Sequence, residues 1–182
     1  MHALDEWRTP RLRLRRPRED DFEHYIRMYA DPVVMATLNG VRTRDETRVL
    51  FDRLLAHWEQ HRFGLWIMCD PDTCEFIGRG GLRLLTLEGR EEMEVGYGMM
   101  AAYWGRGLAT ELARESVRVA FEVLGRPDLV SFTLPTNRAS QRVMEKAGFV
   151  YERDGTFADL PHVFYRLTSE RWRSLRAEGT SS

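Results

Sequence analysis

Cysteine is scarce: Cys69 and Cys74 are the only two in 182 residues, too few to staple a chain of this length. A disulfide between them is one reading; two reduced thiols in a reducing compartment is the other, and so low a count favours it. Long apolar runs are missing as well. No segment approaches the roughly 18 residues that a membrane-spanning helix needs, and the opening MHALDEW has neither the basic nor the apolar block of a secretory leader. These features predict a cytoplasmic protein with no membrane partner. Nor is there an excess of either charge: 27 basic and 28 acidic side chains leave a net charge of −1. That balance gives no electrostatic ground for a nucleic acid partner and points to a small or local substrate. No internal repeat is present, and low complexity is confined to AEGTSS (177–182), read as a disordered tail behind a single domain over 1–176. Hydrophobic residues at 43% and aromatics at 11% suffice for its core.

Several familiar chemistries fail on their spacing. There is no GxSxG for a serine hydrolase, and CDPDTC has neither zinc nor redox spacing. His57 and His61 lie four apart, but HWEQH puts its glutamate in the wrong place for HExxH and supplies no third ligand, so no metal is expected. GYGMMA (96–101) mimics a dinucleotide fingerprint, yet it lies in or at the end of a strand with no helix starting inside it. The six arginines from Arg8 to Arg18 include an alternating set that reads as the solvated face of a strand, and EDD follows at once.

What is present alternates helix and strand periods. RLRLRR (11–16) has period two and predicts a first strand. Phe22, Tyr25, Ile26 and Tyr29, then Val49, Leu50, Leu54 and Trp58, recur at three and four, predicting amphipathic helices over 19–30 and 43–62. GLWIMC (64–69), FIGRGGLRLL (76–85) and MEVGYGMM (93–100) are separated by turn residues and predict an antiparallel meander. A helix of about four turns follows, with Ala109, Leu112, Ala113, Val117, Ala120, Phe121 and Leu124 in one stripe. Next come a short buried strand (129–134), a helix capped by Asn137 and ended by Gly148, a hairpin and a short terminal helix. The predicted order is β-α-α-β-β-β-α-β-α-β-β, an α/β (α+β) mixed sheet.

The segment YWGRGLATEL (103–112) enters its helix through Gly105 and Gly107. Glycines there leave the first backbone N–H groups unshielded, so an anion such as a diphosphate can reach the positive end of the helix. Each charge gains only about 0.3–1 kcal/mol when exposed, so several N–H bonds must act together. By itself GxG is equally a plain turn. A P-loop is excluded, because Gly107 is followed by Leu108 and Ala109 instead of lysine and a hydroxyl.

EVGYGMMAAYWGRGLATELAR followed by TNRASQRVMEKAGF resembles the GNAT acyltransferase superfamily, and with RTPRLRLR its Rim-type branch of ribosomal-protein N-terminal acetyltransferases. The resemblance covers nearly the whole chain. It implies a GNAT fold, a mostly antiparallel mixed sheet of about seven strands flanked by helices, with acetyl-coenzyme A as acetyl donor. It also implies the backbone of Met99 and Met100 along the pantetheine arm, and Trp104, Gly105, Arg106, Gly107, Leu108, Ala109 and Thr110 around the diphosphate. The family places Arg or Gln where this chain has Trp104. Asn137 is implied as both helix cap and pantetheine ligand, and Ser140 as the thiol contact; the tyrosine that many relatives place seven after that Asn is Met144 here. A first-turn role in its own helix is the other reading of Ser140. Relatives are monomers or dimers.

Attack on a thioester needs a neutral amine, which at pH 7 costs about 1.4 kcal/mol for an α-amino group of pKa near 8 and about 4.6 kcal/mol for lysine. Glu94, on the strand leading to the loop, is the candidate base; an exposed strand glutamate is its alternative reading. The expected acceptor is the N-terminal α-amino group of a protein or peptide. Small amines (aminoglycoside, polyamine, amino acid) are the alternative, and a non-catalytic coenzyme-binding sensor or scaffold is a different class. Residues 32–62 and the last hairpin, the expected acceptor walls, carry no motif.

Overall fold

The computed structural model describes residues 4–179. The chain opens with a hairpin of two short strands, β1 (Glu6–Arg8) and β2 (Arg13–Arg15). Three helices follow, α1 (Phe22–Ala30), the single turn α2 (Pro32–Met35) and α3 (Arg44–His61). The predicted meander is β3 (Leu65–Cys69), β4 (Phe76–Leu87) and β5 (Arg90–Met99). Then come α4 (Leu108–Arg118), β6 (Asp128–Thr133), α5 (Arg138–Lys146), β7 (Val150–Phe157), β8 (Leu160–Thr168) and α6 (Ser169–Gly179). Among the described residues one mixed sheet of eight strands runs β1-β2-β3-β4-β5-β6-β8-β7, and its only parallel pair is β5–β6.

Four expectations need correction. RLRLRR does not open the sheet, because Glu6–Arg8 pairs with it as an additional edge strand, making eight strands in place of seven. Its arginines are not a bare solvated face. Arg11 reaches Glu111, Arg13 reaches Glu6, and Arg15 donates to the buried carboxylate of Asp21 at 2.8 Å. The α3 stripe is turned relative to the expected one: Thr47, Phe51, Leu54 and Trp58 are buried while Val49 is 50% exposed. The four-turn helix is α-helical only to Arg118 and widens into a π-helical turn at Val119–Val123. In addition, α6 carries three residues of the supposed tail, to Gly179, and the rest of that segment lies outside the described residues. Cys69 and Cys74 are free thiols.

Helices cover both faces. Met28 of α1 rests over Gly98 of β5, whereas Leu112 of α4 rests over Gly80 of β4 on the opposite face; a Cβ on either glycine would collide with the helix above. β4 extends past the end of β3, which stops opposite Gly81, and this leaves one β4 edge open. His57 of α3 covers it: its Nε2 accepts from the Leu84 amide at 3.0 Å while Nδ1 donates to the Phe63 carbonyl at 3.0 Å. Both ring nitrogens are thereby engaged in structure.

Candidate active site at the parting of two strands

The entry to α4 is built by glycine. Gly105 and Gly107 have φ of 74° and 78°, a region that a Cβ makes costly, and Gly107 caps the helix without a side chain. The first-turn amides of Leu108, Ala109 and Thr110 therefore have no intrahelical acceptor, and residues 105 to 107 are exposed. The first bond of the helix runs from the Glu111 amide to the Gly107 carbonyl. A cradle of free N–H groups, open where side chains would stand, fits a diphosphate. Arg106 itself turns away, its guanidinium 5.3 Å from the centre of the Tyr103 ring.

Glu111 would oppose an anion in that first turn, and the fold removes it. Its carboxylate accepts from Thr9 Oγ1 at 2.6 Å, the Arg11 amide at 2.9 Å and Arg11 Nε at 2.7 Å. Burial pushes the carboxyl up, but these hydrogen bonds outweigh it and hold Glu111 below the usual carboxylate range. Arg11 also donates from Nη1 to the Arg106 carbonyl at 2.8 Å. One arginine from the first hairpin thus fixes the loop and brings a positive charge beside Gly107. Sequence reasoning missed it, because alternation assigned Arg11 to solvent.

Beside this loop the sheet parts. β5 and β6 register at one pair only, Glu94 with Val130, and Ser131 Oγ donates to the Val95 carbonyl at 2.8 Å just beyond it. The Met100 amide donates to Ile77, so alternation turns the even residues of β5 towards β4 and the odd ones towards the gap. Past Val95 the groups facing the gap are those of Tyr97 and Met99. The Met99 carbonyl already accepts from the Trp104 indole at 2.9 Å, and Met100 uses its amide on Ile77 and its carbonyl on Tyr103. Of the Met99 and Met100 pair, Met99 therefore presents an N–H to the gap.

On the far side stand Asn137 and Ser140. Asn137 caps α5 by accepting from the Ser140 amide at 3.1 Å, and its Nδ2 donates to Thr133 Oγ1 at 3.0 Å. Ser140 Oγ lies 2.9 Å from the Tyr97 hydroxyl, so a bridge spans the gap from β5 to α5. Burial pushes the Tyr97 hydroxyl well up despite its bond to Ser140, which keeps it protonated. Tyr97 was not among the sequence candidates; it was visible only as part of GYG.

Glu94 is 5% exposed, so it is not a surface strand glutamate. It lies against Gly96, with Oε1 3.1 Å from the position a Cβ would take there, and forms an ion pair with Arg83 across from it on β4. Glu92, two residues earlier on the same face, is held at 3.0 Å by Arg166 of β8. On this face a cavity of about 230 Å³ is lined by α1, α3 and β4 side chains, among them Tyr25, Tyr29, Arg79 and Arg83. Its walls thus include α1 and β4, beyond the segments expected from sequence.

The profile of the acetyltransferase (GNAT) domain matches residues 11–150. The uncharacterized Bacillus subtilis protein YkkB is 30% identical over 154 residues, 84% of this chain and 90% of that protein. A crystal structure of an acetyltransferase from Agrobacterium tumefaciens superposes with a TM-score of 0.81 at 30% identity, covering 93% of this chain and 97% of that one. The aminoglycoside acetyltransferase AAC(6')-Ib, solved with coenzyme A and kanamycin, shares the fold at a TM-score of 0.75 and 20% identity, over 91% of this chain and 99% of its own.

Proposed function

The chain belongs to the GNAT acetyltransferase family and is an acetyl-coenzyme A-dependent acetyltransferase, and on that premise we propose that it acetylates a primary amine, the N-terminal α-amino group of a protein or peptide. The observation that carries the donor side is the pair of uncapped glycines at the start of α4, next to the parting of β5 and β6. In this reading Gly105 to Thr110 hold the diphosphate through backbone N–H groups, with Trp104 closing the loop against Met99. Met99 and Asn137 flank the pantetheine arm. Acetyl-coenzyme A supplies the activated acetyl group.

The chain's own groups do the rest. Glu94 takes the proton of the amine, directly or through water, and Arg83 holds its carboxylate in place. The amides of Tyr97 and Met99 face the gap where negative charge develops on the acetyl oxygen. Ser140, with Tyr97 protonated beside it, meets the sulfur in this reading. A thiol of pKa near 8.5 leaves with little help, so this contact is worth less than the base. The Rim-type sequence resemblance supports a peptide N-terminus, and its lower deprotonation cost suits a single carboxylate base better than lysine does.

Free-thiol release on mixing the protein with acetyl-coenzyme A and a panel of peptides and small amines tests the reading. Release with peptides and not with small amines supports it. Release with small amines alone replaces the acceptor, and coenzyme binding with no release against any amine would leave only a scaffold.

A further inference from the structure

The cavity on the Glu94 face has charged lining of one sign: Arg53, Arg79 and Arg83, with no carboxylate among its wall residues. Arg83 is committed to Glu94. Arg79 is not matched in this way. Its guanidinium stands 5.9 Å from the centre of the Tyr29 ring, hydrogen-bonds the Tyr29 side chain and feels the charge of Glu94, but its buried Nε has no hydrogen-bond partner among the described residues. Tyr25, 2% exposed, is also a wall residue, and no described residue satisfies its buried hydroxyl. Asp21, an acid whose charge reaches Tyr25, is taken up by Arg15. Arg53 is exposed and has no ion-pair partner among the described residues.

Buried donors without acceptors are costly, and two around one cavity call for an acceptor from outside the chain. Burial pushes the Tyr25 hydroxyl well up, so it enters as an O–H donor. A guanidinium presents a planar fork, and the matching partner is a planar anion. Resting on the acetyltransferase reading above, we propose that the acceptor amine carries a carboxylate, which Arg79 and Tyr25 bind in this cavity while Arg53 attracts it at the mouth. Arg79 and Arg83 alternate on β4 opposite Gly98 and Glu94, so a carboxylate held at Arg79 places the attached amine a few bonds away, along the row towards the base. The same charges work against a polycation such as the kanamycin bound to the distant AAC(6')-Ib.

Two sources offer this chemistry, the α-carboxylate of a free amino acid and an acidic side chain near a peptide N-terminus. The test is coenzyme A release by the full chain with matched acceptors that differ only in carboxylate against carboxamide: amino acids and their amides, and peptides with Glu or Gln at the second position. In at least one pair, kcat/KM is expected to fall roughly 10- to 100-fold for the amide, mostly through KM, and the pair that responds names the source. In Tyr25→Phe and Arg79→Gln the discrimination should shrink to within about threefold. Arg53→Ala, at an exposed position, should raise KM for the anionic member alone. Equal kcat/KM within every pair, or a preference for kanamycin or spermidine, overturns the proposal while leaving acetyl transfer intact. No release with any amine overturns the activity itself, a result the paired comparison keeps separate.

Discussion

Arg11 Nη1 donates to the carbonyl of Arg106 at 2.8 Å, a hydrogen bond between residues 95 positions apart that ties the first hairpin to the glycine loop. The same guanidinium neutralises Glu111 on the first turn of α4. Arg11→Ala should therefore weaken coenzyme A binding by about 1–2 kcal/mol, roughly 5- to 30-fold, chiefly because Glu111 is released towards the phosphates. The side chain is 53% exposed, so the melting temperature should barely move. Titration calorimetry with coenzyme A, alongside a thermal melt, checks both halves.

Gly107→Ala puts a Cβ on a residue with φ of 78°. Space is not the obstacle, since the new atom would meet Arg11 Nη2 at 3.5 Å, an ordinary contact. The backbone conformation is, at about 1–2 kcal/mol. We expect a drop of about 2–8 °C in melting temperature and weaker coenzyme binding, while the exposed Gly125→Ala, outside the loop, should leave binding unchanged.

Glu94→Gln should depress the rate with an α-amino acceptor more at about pH 6.5 than at about pH 9, because above its pKa near 8 the amine sheds its proton unaided. Rate against pH for wild type and variant decides it. An equal loss at every pH would remove Glu94 from the role of base and leave it as the partner that orients Arg83.

His57 gives a stability prediction with a definite sign. Burial, then the neighbouring His61, holds its pKa below the ordinary 6.5 in spite of the bond to Phe63. The folded state thus prefers the neutral ring, whose Nε2 accepts from Leu84. That contribution is complete above about pH 6.5 and is lost as pH falls through the lowered folded value. Melting temperatures recorded from about pH 8 to pH 5 should fall on the acid side, and His57→Gln should flatten the slope in that window.

Trp104 offers an optical readout. It is 46% exposed and hinges on the Met99 carbonyl beside the loop, whereas Trp58 and Trp66 are fully buried. Coenzyme A should change tryptophan emission in the wild type, and Trp104→Phe should abolish most of that change while binding survives by calorimetry.

Features set by neighbours in the chain were legible from the residues. The alternation of RLRLRR, the spacing of Phe22 and Tyr25, the two glycines before α4 and the Asn137 cap are all local and appear in the structure. Partners across the fold were not. Arg11 with Glu111 and Tyr97 with Ser140 depend on how the hairpin and α5 dock, which no periodicity encodes. Arg83 with Glu94 stands between these cases. Glu88 and Gly89 both have positive φ and form a two-residue turn flanked by the pair Leu87 and Arg90, so counting outward from LEGRE reaches Arg83 opposite Glu94 and Arg79 opposite Gly98. The turn residues are legible in LEGRE, and the pairing of Arg83 with Glu94 follows from their number. The shift of the α3 stripe from Val49 to Phe51 shows the opposite limit: several residues on that helix are apolar enough to face inward, and packing against Phe22 and Tyr25 chooses among them.

The sheet is sewn across its middle by one rung, Glu94 with Val130, reinforced by the Ser131 and Arg166 side chains. Beyond that rung the five-strand and three-strand blocks, like the boards of a book, meet through side chains such as the bridge from Tyr97 to Ser140. A donor molecule wedged along the spine would clamp both boards, so its presence should slow amide exchange in β6 and β8 as well as in the loop that grips it.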